Sequence, residues 1–122
     1  MYQKGADVVY HAAGGSGGGV FTAAKAAGKL AIGVDSDQAL TAPEAVRSVI
    51  MTSMIKKVDV AVYDFIKSAA DGKEKTGNNV YDLKAGGVDF STTGGQVDDI
   101  KSKLDDFKAK IISGEIKVPV TP

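Results

Sequence analysis

Three groups of residues in this sequence could do chemistry. The first is the run Gly14-Gly15-Ser16-Gly17-Gly18-Gly19. Glycines that close a strand and open a helix expose backbone N–H groups at the helix N-terminus, where oxygen-rich or anionic ligands bind. The dinucleotide fingerprint needs glycine at i, i+2 and i+5, and no register of the run supplies all three. A phosphate loop needs Gly-Lys-Ser/Thr, but Gly19 is followed by Val20. The run is therefore either a ligand-contacting loop without a phosphate signature or a turn chosen for close helix–sheet packing. The second group is Asp35 and Asp37 in Gly33-Val34-Asp35-Ser36-Asp37-Gln38. A carboxylate past the C-terminal end of a strand can accept both protons of a vicinal diol, and Asp35 lies about 20 residues past the glycines, the distance at which an acid holds a ribose in Rossmann-type sites. Asp37 either does the same or caps the following turn. The third is Lys56-Lys57. If Val58 opens a helix, Lys57 sits where the helix dipole disfavours a cation, and a broken local rule points to function. Two solvated lysines are the plain reading. His11 lies in an apolar strand and reads as a hydrogen-bonded strand-end residue.

These groups need elements to hold them. Asp7 to Ala13 and Leu30 to Val34 read as strands buried on both faces, as in a parallel sheet. Val20 to Ala27 is an Ala-rich helix with Gly28 at its C-terminal cap. Thr41-Ala42-Pro43-Glu44 matches a capping box, with Val46 to Ser53 as a third strand. Val58, Ala61, Val62, Phe65, Ile66 and Ala69 form the strongest helical period, a core-facing stripe ended by Gly72. Val80 to Ala85 alternates like a strand with one wet face. Val97, Ile100, Leu104, Phe107 and Ile111 mark a last helix, with Asp98 and Asp99 in its first turn and Gly114 past its end. Glu115 to Pro122 is an extended tail. The alternation gives an α/β fold with a mostly parallel sheet, and right-handed crossovers would put flanking helices on both faces.

Composition narrows the function. The chain has 122 residues, enough for one compact domain, with 15 Lys+Arg against 15 Asp+Glu. A formal net charge of +0 offers nothing to nucleic acid. With no Cys and one His there is no disulfide, no thiolate and no basis for a metal site. No apolar run approaches the ~20 residues of a membrane span. No Ser–His–Asp order and no paired carboxylates argue for a reaction, so no enzyme activity and no cofactor is expected. Glycine, 15 residues of 122, is well above the usual ~7%.

The motifs also resemble a known family. Residues 5–21, from Gly5-Ala6-Asp7 through the glycine run to Val20-Phe21, are similar to the glycine-loop segment of the basic membrane lipoproteins, the substrate-binding lipoproteins of nucleoside-type ABC transporters. Ala31-Ile32-Gly33-Val34-Asp35-Ser36-Asp37-Gln38, Met54 to Tyr63, and Ile112 to Pro119 resemble three further signatures in order. The resemblance implies a two-lobed type I periplasmic binding protein that captures a purine nucleoside between its lobes for an ABC permease. Carried over, Asp35 would bind ribose hydroxyls, Lys57 would reach the same sugar, and Gly14, Gly15 and Ser16 would line the cleft. Phe21 would stack on the base or, equally, serve as a core aromatic.

Family members are more than twice this long and carry a signal peptide and a lipidated Cys. The expectation is therefore a C-terminal portion of such a lipoprotein, with residues 1–40 and 80–122 in one lobe and 46–72 in the other. Its parent would be extracytoplasmic and held to the membrane only through the lipid anchor, while the piece itself would be soluble and would fold by rearranging, by dimerising or swapping, or by keeping its missing partners. The alternatives are a Rossmann-like nucleotide enzyme, against which the failed glycine spacings count, and a sensory or regulatory protein on the same fold.

Overall fold

A computed structural model describes residues 1–119. The extended tail expected over Glu115 to Pro122 lies outside the described residues from position 120 on. The described chain divides into two compact units, Met1–Lys56 with Phe90–Asp99, and Lys57–Asp89 with the chain from Ile100 onward.

Unit 1 is an α/β layer. Strand β1 (Val8–Tyr10) leads through a 3₁₀ turn, Gly14–Gly17, into α1 (Gly18–Ala27). Strand β2 (Leu30–Asp35) is followed by two one-turn helices, α2 (Gln38–Thr41) and α3 (Glu44–Arg47), and then β3 (Ile50–Lys56). The sheet order is β1-β2-β3-β4, where β4 (Val88–Phe90) belongs to unit 1 only from Phe90 on. β1 pairs parallel with β2, Val8 opposite Leu30, and β2 pairs parallel with β3, Asp35 opposite Ile55. The mostly parallel α/β sheet is thus as expected. The strands follow one another in chain order, however, and α1 packs on α3 as well as on β2. In unit 1 these helices share one face of the sheet rather than dividing between two.

The core on that face consists of Phe21 and Ala24 from α1, Ala31 from β2, Ala39 and Ala42 around α2, and Ile50 from β3. Alanines at most positions let the helix lie close to the strands. β1 is not buried on both faces: Val9 is covered while Val8 and Tyr10 are exposed. The third strand begins four residues later than expected. Val46 is helical in α3 and packs against the core, so the β-branched run does not pair until Ile50. Residues 50–56 therefore lie in the sheet with β2.

The capping box at Thr41 does not form. Asp37 takes the N-cap position earlier, its side chain accepting from the Ala39 N–H at 3.2 Å, and Thr41 becomes the last residue of α2. Pro43 keeps Ala42 extended, which separates α3 as a second turn without a side-chain cap.

Unit 2 carries α4 (Val58–Ala70) and α5 (Lys101–Ser113). Their periods are those of the sequence, and Gly114 closes α5 in the left-handed region at φ 81. Asp98 and Asp99 form a 3₁₀ turn ahead of α5 rather than its first turn. The α4 stripe does not face a core. Val58, Val62, Phe65 and Ile66 are each more than half exposed, and the better covered positions are Val60, Ala61, Asp64 and Ser68. The alternating segment Val80–Ala85 is not a strand. The Asp82 carboxylate accepts from the Ala85 N–H at 2.8 Å, Gly86 adopts φ 70, and the Gly87 N–H returns to the Asp82 carbonyl at 2.9 Å. Asp82 offers its own backbone a local partner, and a closed turn wins over a ladder.

Asp64 anchors the connector after α4. Its carboxylate accepts from the Lys75 ammonium and from the Tyr81 hydroxyl, and Lys75 also lies over the Tyr81 ring, 5.5 Å from its centre. The Lys75 hydrogen bond, and then that of Tyr81, hold the Asp64 carboxyl below its ordinary range. A carboxyl depressed in the folded state stabilises above its unfolded value, and that contribution is lost as pH falls through the lowered folded value. Asp64→Asn is expected to be less stable than the parent sequence at pH 7, with the gap closing below about pH 4. Urea denaturation across that range checks this, and a gap that persists at pH 2 would overturn it.

Two neighbouring glycines should respond oppositely to the same substitution. Gly17 has ordinary helical dihedrals, φ −58 and ψ −27, but a Cβ there would lie 2.1 Å from Cε1 of the buried His11 ring. A Cβ at Gly19, inside α1, would meet nothing within 4 Å. Gly17→Ala is expected to destabilise by about 1–3 kcal/mol through overpacking. Gly19→Ala is expected to stabilise by about 0.4–1 kcal/mol through a less flexible unfolded chain. In a His11→Ala background the Gly17 penalty should vanish. Thermal melts of the four variants decide it.

Candidate functional site

Parallel pairing of β1 with β2 sends both strands out of the sheet at the same edge. The glycine turn after β1 and the acidic turn after β2 therefore emerge at the C-terminal strand ends, where ligands of open α/β sheets bind. Asp35 is the last residue of β2 and is exposed. Among the described residues it alone, glycines aside, has a positive φ, 71°. The turn beyond it brings the Ser36 N–H back to the Val34 carbonyl at 2.9 Å. That conformation lifts the Asp35 carboxylate off the strand axis, where its Oδ1 meets Lys56 Nζ at 2.7 Å. Hydrogen bonding to Asp35, and then its charge, raise the Lys56 ammonium above its ordinary range.

Lys56 is thus the cation that β3 sets beside Asp35. It was legible only as one of a lysine pair, since strand register decides which of the two faces β2. Lys57 is the residue just before α4, as the helical period requires, and belongs to unit 2. Its ammonium reaches Asp89 at 3.2 Å, and its N–H donates to the Gly87 carbonyl at 2.8 Å. Asp89 also receives Lys108 at 2.8 Å. The carboxylate offsets the unfavourable cation at the helix start.

Of the two readings left open for Asp37, the structure has the cap. One carboxylate oxygen accepts from the Ala39 N–H and the other from the Thr93 hydroxyl. Phe21 is in the core at 1% exposure, with its ring edge-to-face against His11 at 5.1 Å. His11 is 5% exposed, and neither ring nitrogen has a hydrogen-bond partner among the described residues, unlike the bonded strand-end residue expected. It serves instead as the floor on which Gly17 rests.

Gly14, Gly15 and Ser16 form an exposed 3₁₀ turn, Gly14 at φ 53. A Cβ on Gly14, Gly15, Gly18 or Gly19 would meet nothing within 4 Å. Packing therefore requires one glycine of this run, Gly17, and leaves the others with open faces at the N-terminus of α1. Its N-cap residue, Gly17, has no side chain with which to cap that terminus. A cavity of about 540 Å³ between α1 and α3 touches Phe21, Thr22 and Pro43, and of the expected site residues includes only Phe21.

What unit 1 presents at this edge is an oriented carboxylate with its counter-ion and an open, uncapped glycine turn. Carboxylates accept hydroxyl protons and turn N–H groups donate to oxygens, so the edge suits a polyhydroxylated neutral ligand.

Comparison with known proteins identifies the family. The sequence profile of a family described as "ABC transporter substrate-binding protein PnrA-like" matches residues 1–122. The chain is 39% identical to the CD4+ T-cell-stimulating antigen of Listeria monocytogenes, over 100% of this chain and 38% of that protein. It is also 39% identical to the ABC transporter nucleoside-binding protein BmpA of Lactococcus lactis, over 98% of this chain and 38% of that one. A solved ABC transporter solute-binding protein from Aeropyrum pernix superposes with a TM-score of 0.74 at 29% identity, covering 99% of this chain and 42% of that chain. The chain thus spans under two fifths of the length of these curated relatives, and its α/β sheet with flanking helices is that of a periplasmic binding protein. By sequence profile, by relatives and by fold, the chain belongs to the PnrA-like ABC transporter substrate-binding proteins.

Proposed function

We propose that these residues form the sugar-side portion of a nucleoside-capturing protein that delivers its ligand to an ABC permease without transforming it. The observation that carries the reading is the Asp35 carboxylate, held at φ 71 at the strand-end edge where the open glycine turn also emerges. Two vicinal ribose hydroxyls would donate to the two oxygens of Asp35. The N–H groups of Gly14 and Gly15 would donate to sugar oxygens and Ser16, whose own N–H is taken by the Ala13 carbonyl at 3.1 Å, would offer its hydroxyl, with Lys56 as counter-ion. Lys57 enters from the family resemblance alone, and within unit 2 its ammonium is engaged by Asp89.

Capture by closing two lobes belongs to the same reading, in a parent anchored outside the cytoplasm by a lipid. The half-exposed apolar stripe of α4, Val58 with Val62, Phe65 and Ile66, supports a longer parent. Soluble proteins seldom leave such a stripe open, and the relatives have length to cover it.

The test is calorimetric titration of adenosine and guanosine into the full-length gene product, its Asp35→Ala variant and the 122-residue chain alone. Loss of charge-assisted hydrogen bonds should raise Kd about 10–100-fold in Asp35→Ala. The 122-residue chain, with its contacts incomplete, should bind at least about 100-fold more weakly than the full-length product. Unchanged affinity in the variant would remove Asp35 from the site, and tight binding by the short chain would refute the partial-site reading.

A further inference from the structure

We propose that Gln38 is the positioning residue that holds Asp35 in its ligand-binding conformation, through a clamp completed by Ser53. This rests on the reading of Asp35 as a sugar contact. L-residues rarely adopt φ 71, so something must hold the turn from Val34 to Asp37. Gln38 reaches back along the chain: its side-chain Oε1 accepts the Val34 N–H at 2.8 Å, immediately before Asp35. The Gln38 backbone N–H in turn donates to Ser53 Oγ at 3.1 Å.

Ser53 is fully buried on β3 and is itself fixed. Its N–H donates to Ser91 Oγ at 3.0 Å, and its carbonyl accepts the Ser91 N–H at 3.0 Å. Gly33 makes the clamp possible. A Cβ there would lie 2.8 Å from Gln38 Oε1 and 2.5 Å from Ser53 Oγ, so only glycine leaves room for both. The far end of the turn is tied by Asp37, which caps α2 and accepts from the Thr93 hydroxyl. The turn is thus pinned on both sides of Asp35 while the Asp35 side chain stays exposed. Without the Gln38 acceptor, the covered Val34 N–H loses its partner, and the Gly33–Val34 peptide loses the anchor on which the next peptide, the one that sets the Asp35 φ, is built. The carboxylate then swings away from where two hydroxyls can meet it. Gln38 touches no ligand in this scheme and acts through Asp35.

A double-mutant cycle in the full-length gene product, read by calorimetric titration of adenosine, tests this. Gln38→Met keeps side-chain length and removes the acceptor. It should raise Kd about tenfold, and Asp35→Asn should do at least as much. Combined, they should cost no more than Asp35→Asn alone within about twofold, because a clamp has nothing left to position. Ser53→Ala loosens the clamp from β3 and should show the same non-additivity, which covers a Gln38→Met protein that fails to fold. A Gln38→Met or Ser53→Ala protein that melts earlier but binds adenosine within twofold of the parent would overturn the inference, as would full additivity with Asp35→Asn. If Asp35→Asn itself leaves Kd unchanged, the assignment of Asp35 as the contact fails instead, and the two failures are told apart.

Discussion

β2 shares hydrogen bonds with β1 on one side and β3 on the other, and the rest of unit 1 depends on that double parallel pairing. Parallel strands must all leave the sheet at one edge, so the loops after them gather there whatever their sequence. The glycine turn, the Asp35 turn and Lys56 come from three separate stretches of chain. Pairing alone makes them neighbours of one edge, and the register that sets Asp35 opposite Ile55 places Lys56 within reach of the carboxylate.

Close packing supports that edge from beneath. Two of the glycines in unit 1 are seats for other side chains: Gly17 for the His11 ring, and Gly33 for Gln38 and Ser53. Each marks a place where a helix or turn approaches a strand more closely than any Cβ allows. The alanines of the core serve the same end, since Ala24, Ala31, Ala39 and Ala42 keep the layers thin around Phe21 and Ile50. A thin layer needs precise polar partners, and unit 1 supplies them in the buried serines. Ser53 and Ser91 join β3 to the segment after β4 by paired hydrogen bonds. The strand-end edge is held by the sheet beneath it, and the Asp35 side chain and the Gly14–Ser16 turn are exposed.

Unit 2 is held differently. Its ion pairs lie at the surface, where Asp64 gathers Lys75 and Tyr81 and Asp89 gathers Lys57 and Lys108. Its strongest apolar stripe, on α4, faces outward. The chain spans about 38% of the length of its Listeria and Lactococcus relatives.

The α/β class, the two long helices, the glycine cap at Gly28 and the strand that runs into Asp35 were all legible in the sequence, because period, capping and turn chemistry act over a few residues. The same local signals misled where two of them competed. Asp37 formed its cap before Thr41 could, and Asp82 closed a turn over a segment whose alternation reads as a strand. The family was legible too, since its motifs are long and in order. What no local rule reached was the partner of each polar group. Register chose Lys56 for Asp35, burial took Phe21 into the core and left His11 as a floor under Gly17, and the approach of β3 to Gly33 turned Gln38 back onto Val34. Those outcomes depend on which strands lie side by side and how closely, a property of the assembled sheet that no single stretch of sequence carries.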